Sequence, residues 1–535
     1  MRTELFDVII VGRGPVGLVM AATMAGAGHR IALVERHRDL YGLPRAGHVD
    51  HEIMRVLQSL GAADAVLADS YPTTEYVWKN ATGETLLEFD WRAPGISGYN
   101  SDYMQFQPIM ERALSDRVAG SAGVVEYLGW SATGFTQDDA AVDVTLEGAD
   151  GASATLRGRY LIGADGAGSI IRRLCGIERD DLGFNERWLV LDVRKRREIT
   201  FGFDCGQICD PRRPITVLPL GKRHRRWEWA MLPGETREEL EAPETAWRLL
   251  AEWGVTPDDA EIVRQLVYTF EARLAQSWRR GCVFLMGDAC HTMPPFMGQG
   301  MCSGIRDAKN LAWKLDLVLR NAADAAILDS YEVEREPHAR AWTVISLEAG
   351  KVPCTLDPEV ARQRDAMFRN GWLPPMPDFP KLGTGLLQSG PARTTNARAG
   401  ELGLQGRVVV EGRADLFDNH FPRHGFTIIS TVADPRSVLD DRQVRALERI
   451  GTTLAFVAGT ESADHPFDVD GTYADYFARH GIEAAINRPD FYVFGAVPRL
   501  ADLPSLVDDL LRQLGVPDDR AATVPAVRAV HAPVG

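Results

Sequence analysis

Residues 6–11 (FDVIIV) form a short apolar run, and Gly12-x-Gly14-x-x-Gly17 follows at once. Small and apolar residues over 15–25 suit a closely packed helix, and a second apolar run, 30–34, ends in Glu35. Strand, glycine turn, helix, strand and acid, in that order, predict a dinucleotide-binding βαβ unit. Gly12 permits the tight turn, Gly14 lets the backbone approach a pyrophosphate, and Gly17 lets helix and strand pack closely. The helix N-terminus offers free N–H groups to phosphates, and Glu35 offers an acceptor to the adenosine ribose. The pattern of an apolar strand ending in glycine and aspartate recurs twice. Residues 160–173 (YLIGADGAGSIIRR) run from a strand through Asp165-Gly166 into a basic helix, and 282–288 (CVFLMGD) end in Gly287-Asp288.

Between these motifs the texture changes. WLVLDVRK, ITFGFD, PITVLPL and RRWEWAMLPG, within 186–233, read as antiparallel strands with one face over a pocket. EYVWKN and ETLLEFD, within 73–103, join them. Trp227, Trp229, Tyr268 and Phe270 are candidates for lining that pocket, with core packing as the alternative. Residues 351–395 hold Pro374-Pro375, Pro377 and Pro380 and read as an irregular linker. From residue 400 a small α/β unit is expected, with strands in RVVV, FTIIS, TLAFVAG and FYVFGAV and helices near 436–450 and 502–514. Residues 518–535 read as a loose tail.

At 535 residues and 45% hydrophobic content the chain can bury several cores. A net charge of −15 disfavours nucleic acid and anionic membranes as partners. No apolar run approaches the ~20 residues that span a bilayer, and the first residues lack a signal-peptide pattern. A cytoplasmic location is therefore expected. Seven cysteines in so long a chain form no disulfide framework, and Cys205 and Cys209 are not a CxxC pair. Free buried thiols and no metal are the expectation. In residues 284–311 (FLMGDACHTMPPFMGQGMCSGIRDAKNL) the glycines and the new helix suit a backbone lying against a flat ring. Cys290 and His291 are then neighbours of that site, and His291 is expected to be structural. No second strand-glycine-helix unit for a nicotinamide cofactor exists.

The GxGxxG, DG and GD motifs, in this order, resemble those of the class A flavoprotein monooxygenases, the aromatic hydroxylases related to para-hydroxybenzoate and phenol hydroxylases. The resemblance spans about residues 5–350 and implies an α/β fold: a discontinuous, Rossmann-like FAD-binding domain of the GR2 type (1–72, 104–185, 270–350). An inserted antiparallel β-sheet substrate domain (73–103, 186–269) is implied as well. DNHFPRHGFTIIS and INRPDFYVFGAV resemble a thioredoxin-like C-terminal domain, expected over 399–517 after a 351–398 linker. Without a CxxC its expected role is structural or in dimerisation, a homodimer being the candidate assembly.

The resemblance also implies site residues. Glu35 and Arg36 sit near the adenosine, and Arg45, in LPRAGHVD, reaches the FAD. Gln107 opens a helix beside the ribityl chain. Asp165 lies near the pyrophosphate and the reduced nicotinamide, and Asp288 accepts hydrogen bonds from the ribityl hydroxyls. Pro295, Gly298, Gly300 and a helix starting near Met301 pass along the isoalloxazine, with free N–H groups toward its N1 and O2 edge. NADPH or NADH reduces the FAD transiently.

CDPRRPITVLPL, RRWEWAMLPGETREEL and RQLVYTFEARLAQSW resemble the 3-(3-hydroxyphenyl)propionate hydroxylase group more closely. The implied reaction is ortho hydroxylation of a small phenol to a catechol with NAD(P)H and O2, by way of a flavin hydroperoxide. Tailoring of a larger phenolic or polyketide is the second reading, and a non-hydroxylating flavoprotein the third. Asp50, in GHVDHEIMR, matches an acid near the substrate of phenol hydroxylase and is the first candidate to activate the phenol; His48 is the second. Helix capping is the alternative role for Asp50.

Overall fold

The computed structural model describes residues 5–372, 379–390, 398–421, 425–461 and 464–516. Leu5–Val11 is the centre of the first sheet, with Ile31–Glu35 and Val124–Leu128 on one side and Ser153–Gly163 and Val283–Leu285 on the other. These strands all run parallel. Leu5–Val11, Ile31–Glu35 and Val283–Leu285 are short and apolar, as expected of strands covered on both faces, and Ser153–Gly163 is continuously buried only over its last three residues. Parallel pairing brings the carboxyl ends of the strands to one edge. There the turn at Gly12, the acid Glu35, the Asp165 turn and the Gly287-Asp288 turn meet, although they are far apart in sequence. The helices Pro15–Gly26 and Gln299–Leu319 pack on each other against this sheet.

The second sheet is laid out as His291–Thr292, Ala260–Ala275, Arg179–Lys195, His224–Ala230, Ile215–Leu220, Gly206–Cys209, Glu75–Asn80 and Thr85–Asp90. All its pairs are antiparallel except Gly206–Cys209 with Glu75–Asn80. Its outer face is a core of Leu189, Leu191, Val193, Val217, Trp227 and Trp229. The helices Arg237–Glu241 and Pro243–Ala251 add Leu240, Leu249 and Leu250 to that core. The inner face looks toward the carboxyl edge of the first sheet. ITFGFD, expected as a strand, is not one: Gly202 is in the left-handed region at φ 36°. Phe201 and Phe203 instead wedge against Trp253. The domain boundaries expected at 185/186 and 269/270 fall inside the unbroken strands Arg179–Lys195 and Ala260–Ala275. These strands carry the chain from one sheet to the other.

The expected 351–398 linker contains a capped helix, Pro358–Arg369, with the Asp357 carboxylate accepting from the Glu359 and Val360 N–H groups. Pro374, Pro375 and Pro377 lie outside the described residues, as does the 518–535 tail. In the C-terminal unit Thr453–Phe456 and Thr427–Ser430 are parallel, and Ala484–Asn487 and Val493–Val497 follow antiparallel. The helices Asp441–Arg449, Thr472–His480 and Leu503–Leu514 complete the thioredoxin-like order. This unit is tied to the first domain by buried charges. Arg488 pairs with Glu334 at 2.6 Å, Glu334 pairs with Lys314 at 2.8 Å, and Arg55 pairs with Asp418 at 2.7 Å. Among the described residues, no helix is long and apolar enough to cross a membrane.

Candidate active site

One continuous cavity of about 1990 Å³ runs from the Gly12–Gly17 turn to the inner face of the second sheet. Its volume exceeds the ~300–1,000 Å³ of a single small-molecule pocket, so it has room for a dinucleotide and a second ring together. At one end the three glycines divide the labour. Gly12 has φ 111°, and a Cβ there would meet the Ala164 carbonyl at 2.3 Å. A Cβ on Gly17 would stand 2.0 Å from the Gly12 carbonyl oxygen. Gly14 has no neighbour within 4 Å: its missing side chain leaves open space in the cavity. The helix that follows has no side-chain cap, so its first N–H groups are free for an anion. Glu35 accepts from the Arg13 and His37 N–H groups, each at 3.0 Å, and Arg36 lines the same end.

Midway, Asp288 faces the cavity and takes no hydrogen bond from any described residue. The apolar walls around it raise its pKa although the side chain is open to the cavity, with His291, Arg45 and Arg179 opposing. A carboxylate held this way is an acceptor without a donor, which fits a cofactor bearing hydroxyls. Asp165 is different. Its two oxygens accept from the Ser169 hydroxyl at 2.5 Å and from the Ile170 N–H at 2.7 Å, so it shapes the turn that borders the cavity. Gln107 likewise works on the chain itself, accepting from the Ala46 N–H and donating to Glu111, both at 2.7 Å. It thereby fixes the segment that carries Arg45, whose guanidinium lies 4.7 Å from the Tyr41 ring centroid. His291, buried, pairs with Asp307 at 2.7 Å, and Arg335 completes the group.

At the far end, Pro295–Met297 form a single 3-10 turn, and Gly298 at φ 64° starts the long helix, which begins at Gln299 rather than near Met301. Gly298, Gly300 and Met301 line the cavity at this uncapped terminus. Gly298 is glycine for a reason the sequence did not show. A Cβ there would lie 2.7 Å from His48 Nδ1, so the bare position makes room for the histidine.

His48 lies on a two-stranded ribbon in which His48–Asp50 pairs antiparallel with Asp102–Met104. Its Nε2 is 2.7 Å from Asp102 Oδ1, and its Nδ1 is 3.3 Å from the Gly298 carbonyl. Burial alone would lower the His48 pKa, but the bonds to Asp102 and Cys302 and the charge of Asp102 raise it well above the ordinary value. Asp102 was not among the expected residues. The ribbon register sets Asp102 opposite Asp50 and Met104 opposite His48, so Asp102 reaches His48 diagonally, on the same face.

Asp50 is corrected. It caps the helix His51–Ser59 by accepting from the Ile53 N–H at 3.0 Å. Its other oxygen accepts from Gln299 at 3.1 Å and from the Arg306 guanidinium. Burial would raise its pKa, but Arg306, then His51 and His48, hold it well below the usual carboxylate range. A carboxylate so engaged is a poor base for a phenol, and the capping alternative is the one the structure displays.

Tyr268 and Phe270 line the cavity, their ring centroids 5.1 Å apart. Trp227 and Trp229 do not: both are fully buried in the outer core. Alternation along the strand sends Arg226 and Glu228 inward and the two tryptophans outward. Trp227→Ala is therefore expected to cost about 3–5 kcal/mol of stability. Urea unfolding should show that loss, while the substrate KM of the folded protein moves little. A change in KM at unchanged stability would instead make Trp227 a pocket residue.

A floor that runs from an acid at a strand end to a bare helix terminus suits an extended dinucleotide with a ring at its far end, as FAD has. With an aromatic-lined chamber continuous with that floor, the class so defined is the FAD-dependent aromatic monooxygenases. The chain belongs to the FAD binding domain family, which matches residues 5–346, and residues 400–513 match the HcaD C-terminal domain. A probable NADH-specific resorcinol 4-hydroxylase of Rhodococcus jostii (strain RHA1) is 36% identical, over 94% of this chain and 94% of that protein. A 3-(3-hydroxy-phenyl)propionate/3-hydroxycinnamic acid hydroxylase of Comamonas testosteroni is 30% identical, over 91% and 93%. Among solved structures, aklavinone-11 hydroxylase in complex with FAD and aklavinone is similar at a TM-score of 0.77 and 26% identity, covering 96% of this chain and 100% of that one.

Proposed function

We propose that the protein uses NADH and dioxygen to hydroxylate a phenol substituted meta to its hydroxyl, placing the new oxygen ortho to that hydroxyl. The His48–Asp102 pair on the wall of the chamber, beside the bare helix terminus, carries this reading. Resorcinol and 3-(3-hydroxyphenyl)propionate, named for the relatives, are both phenols with a meta substituent.

FAD, when bound and reduced, supplies the electrons that activate dioxygen for transfer. Glu35 and the Gly12–Gly17 turn would hold its adenosine and phosphates, Asp288 its ribityl hydroxyls, and the Gly298–Met301 terminus its ring edge. The chain's own part in the reaction is to make the phenol a better nucleophile. Asp102 Oδ1 accepts the proton on His48 Nε2 and so leaves Nδ1 as the base. Nδ1 takes the phenol proton and keeps the new N–H toward the phenolate oxygen, with the Gly298 carbonyl, 3.3 Å from the same nitrogen, as a second acceptor. The phenolate then lies beside an imidazolium, with its electron density raised at the ortho carbon. Tyr268, Phe270 and Trp91 line the chamber with aromatic surface for the substrate ring. The experiment is a panel of phenols scored for hydroxylated product against NADH consumed. Meta-substituted phenols should give product in near-equal amount, and NADH oxidation without product from any phenol would remove the proposal.

A further inference from the structure

The inner face of the second sheet carries an acid that nothing above uses. Glu228 is 4% exposed and lines the cavity, yet no described residue donates a hydrogen bond to it. Its nearest cation, Arg226 Nη1, stands 3.6 Å away. That guanidinium is already spent on Asp192 at 2.6 and 2.9 Å, on the Arg45 carbonyl at 2.6 Å and on the Pro44 carbonyl at 3.1 Å. Burial raises the Glu228 pKa; Arg226 and Arg264 oppose and Asp192 adds to the rise.

Glu228 also shares a wall with His48. The His48 and Trp91 rings are 5.7 Å apart, and Trp91 stacks on Tyr76 at 5.1 Å. The Tyr76 hydroxyl accepts from Gln207 Nε2 at 2.8 Å, and Gln207 Oε1 accepts from Thr216, also at 2.8 Å. Thr216 is the sheet partner of Glu228. The wall thus passes from the phenol-activating pair, along stacked rings, to a buried acceptor with no donor. A buried acceptor of this kind is costly to leave empty and selective for what fills it.

We propose that Glu228 accepts a hydrogen bond from a second, meta hydroxyl of the substrate, so that the protein selects an uncharged dihydroxybenzene over a phenol bearing a carboxylate. The inference rests on the hydroxylase reading and narrows its substrate. A hydroxyl meets the empty acceptor directly. Were a substrate carboxylate to lie there, one of the two acids would have to hold a proton. The competing anchor for a carboxylate is Arg264, whose Nε is buried without a partner among the described residues.

The test uses the FAD-loaded full chain, wild type and Glu228→Gln, with resorcinol, 3-methylphenol and 3-(3-hydroxyphenyl)propionate. Binding is read from perturbation of the flavin spectrum and turnover from hydroxylated product. Wild type should favour resorcinol over both other phenols by about tenfold or more in Kd and in kcat/KM. Glu228→Gln keeps an acceptor but loses the charge, so it should weaken resorcinol about five- to tenfold and leave 3-methylphenol within about twofold. Wild-type preference for the propionate, or equal handling of resorcinol and 3-methylphenol, would overturn the inference and point to Arg264. So would a Glu228→Gln variant with unchanged ratios. If that variant does not fold, the wild-type comparison still decides. Selective binding without any product would count against the hydroxylase reading and not against Glu228.

Discussion

His48→Asn is expected to lower kcat/KM for phenol hydroxylation by about 10²–10⁴-fold while the purified protein stays yellow. The magnitude is that of removing a positioned general base. FAD should be retained because the adenosine and ribityl ends of the cavity lie on other elements. The pH profile separates a base from a spacer. Only the unprotonated pair can accept the phenol proton, so kcat/KM should rise with pH through the His48 pKa. Asp102 and Cys302 raise that value, so the acid limb should have its midpoint above 6.5. Asp102→Asn removes the main group that raises it, and the limb should then move to lower pH as the maximal rate falls. A limb that stays in place in both variants would show that the pair does not take the proton.

Gly14→Val is expected to give a folded, colourless protein. The backbone at Gly14 is extended, at φ −76° and ψ −178°, which valine adopts without strain. The new side chain would meet no protein atom near its Cβ and would stand in the open part of the cavity. A cofactor pyrophosphate needs that space, so FAD affinity should fall by about a hundredfold or more, some 3 kcal/mol. Thermal melting without added FAD should match that of wild-type apoprotein. Gly17→Val is the contrast: its Cβ would collide with the Gly12 carbonyl, so the fold itself should be damaged. Gly14→Val protein that bound FAD as tightly as wild type would place the cofactor elsewhere.

The parts of this protein that were legible in the sequence are those imposed by local geometry. The Gly12–Gly17 turn, Asp165-Gly166 and Gly287-Asp288 stand at strand ends because a parallel sheet must present its turns at one edge. Each turn needs glycine or a carboxylate close by in sequence. What was illegible depends on which face of an element is buried. Trp227 and Trp229 looked like a ring pocket, but the helices Arg237–Glu241 and Pro243–Ala251 bury the outer face. The charged positions Arg226 and Glu228 are therefore the ones that look inward. Asp50 and His48 are two residues apart, and composition gave no reason to prefer the histidine. The distinction comes from Arg306 and Asp102, both distant in sequence, which tie up the carboxylate in one case and raise the basicity of the ring in the other. Gly298 in sequence suggests space cleared for a flavin, whereas the nearest neighbour of a Cβ there is His48.

The central claim is that one chamber brings a reduced flavin, dioxygen and a phenol activated by His48 together. The most direct test is turnover of the FAD-loaded protein with NADH and resorcinol under ¹⁸O₂, followed by mass analysis of the product. The account predicts a trihydroxybenzene carrying one labelled oxygen, in near-equal amount to the NADH consumed. Unlabelled product, or NADH consumed with hydrogen peroxide as the sole oxygen product, would contradict it.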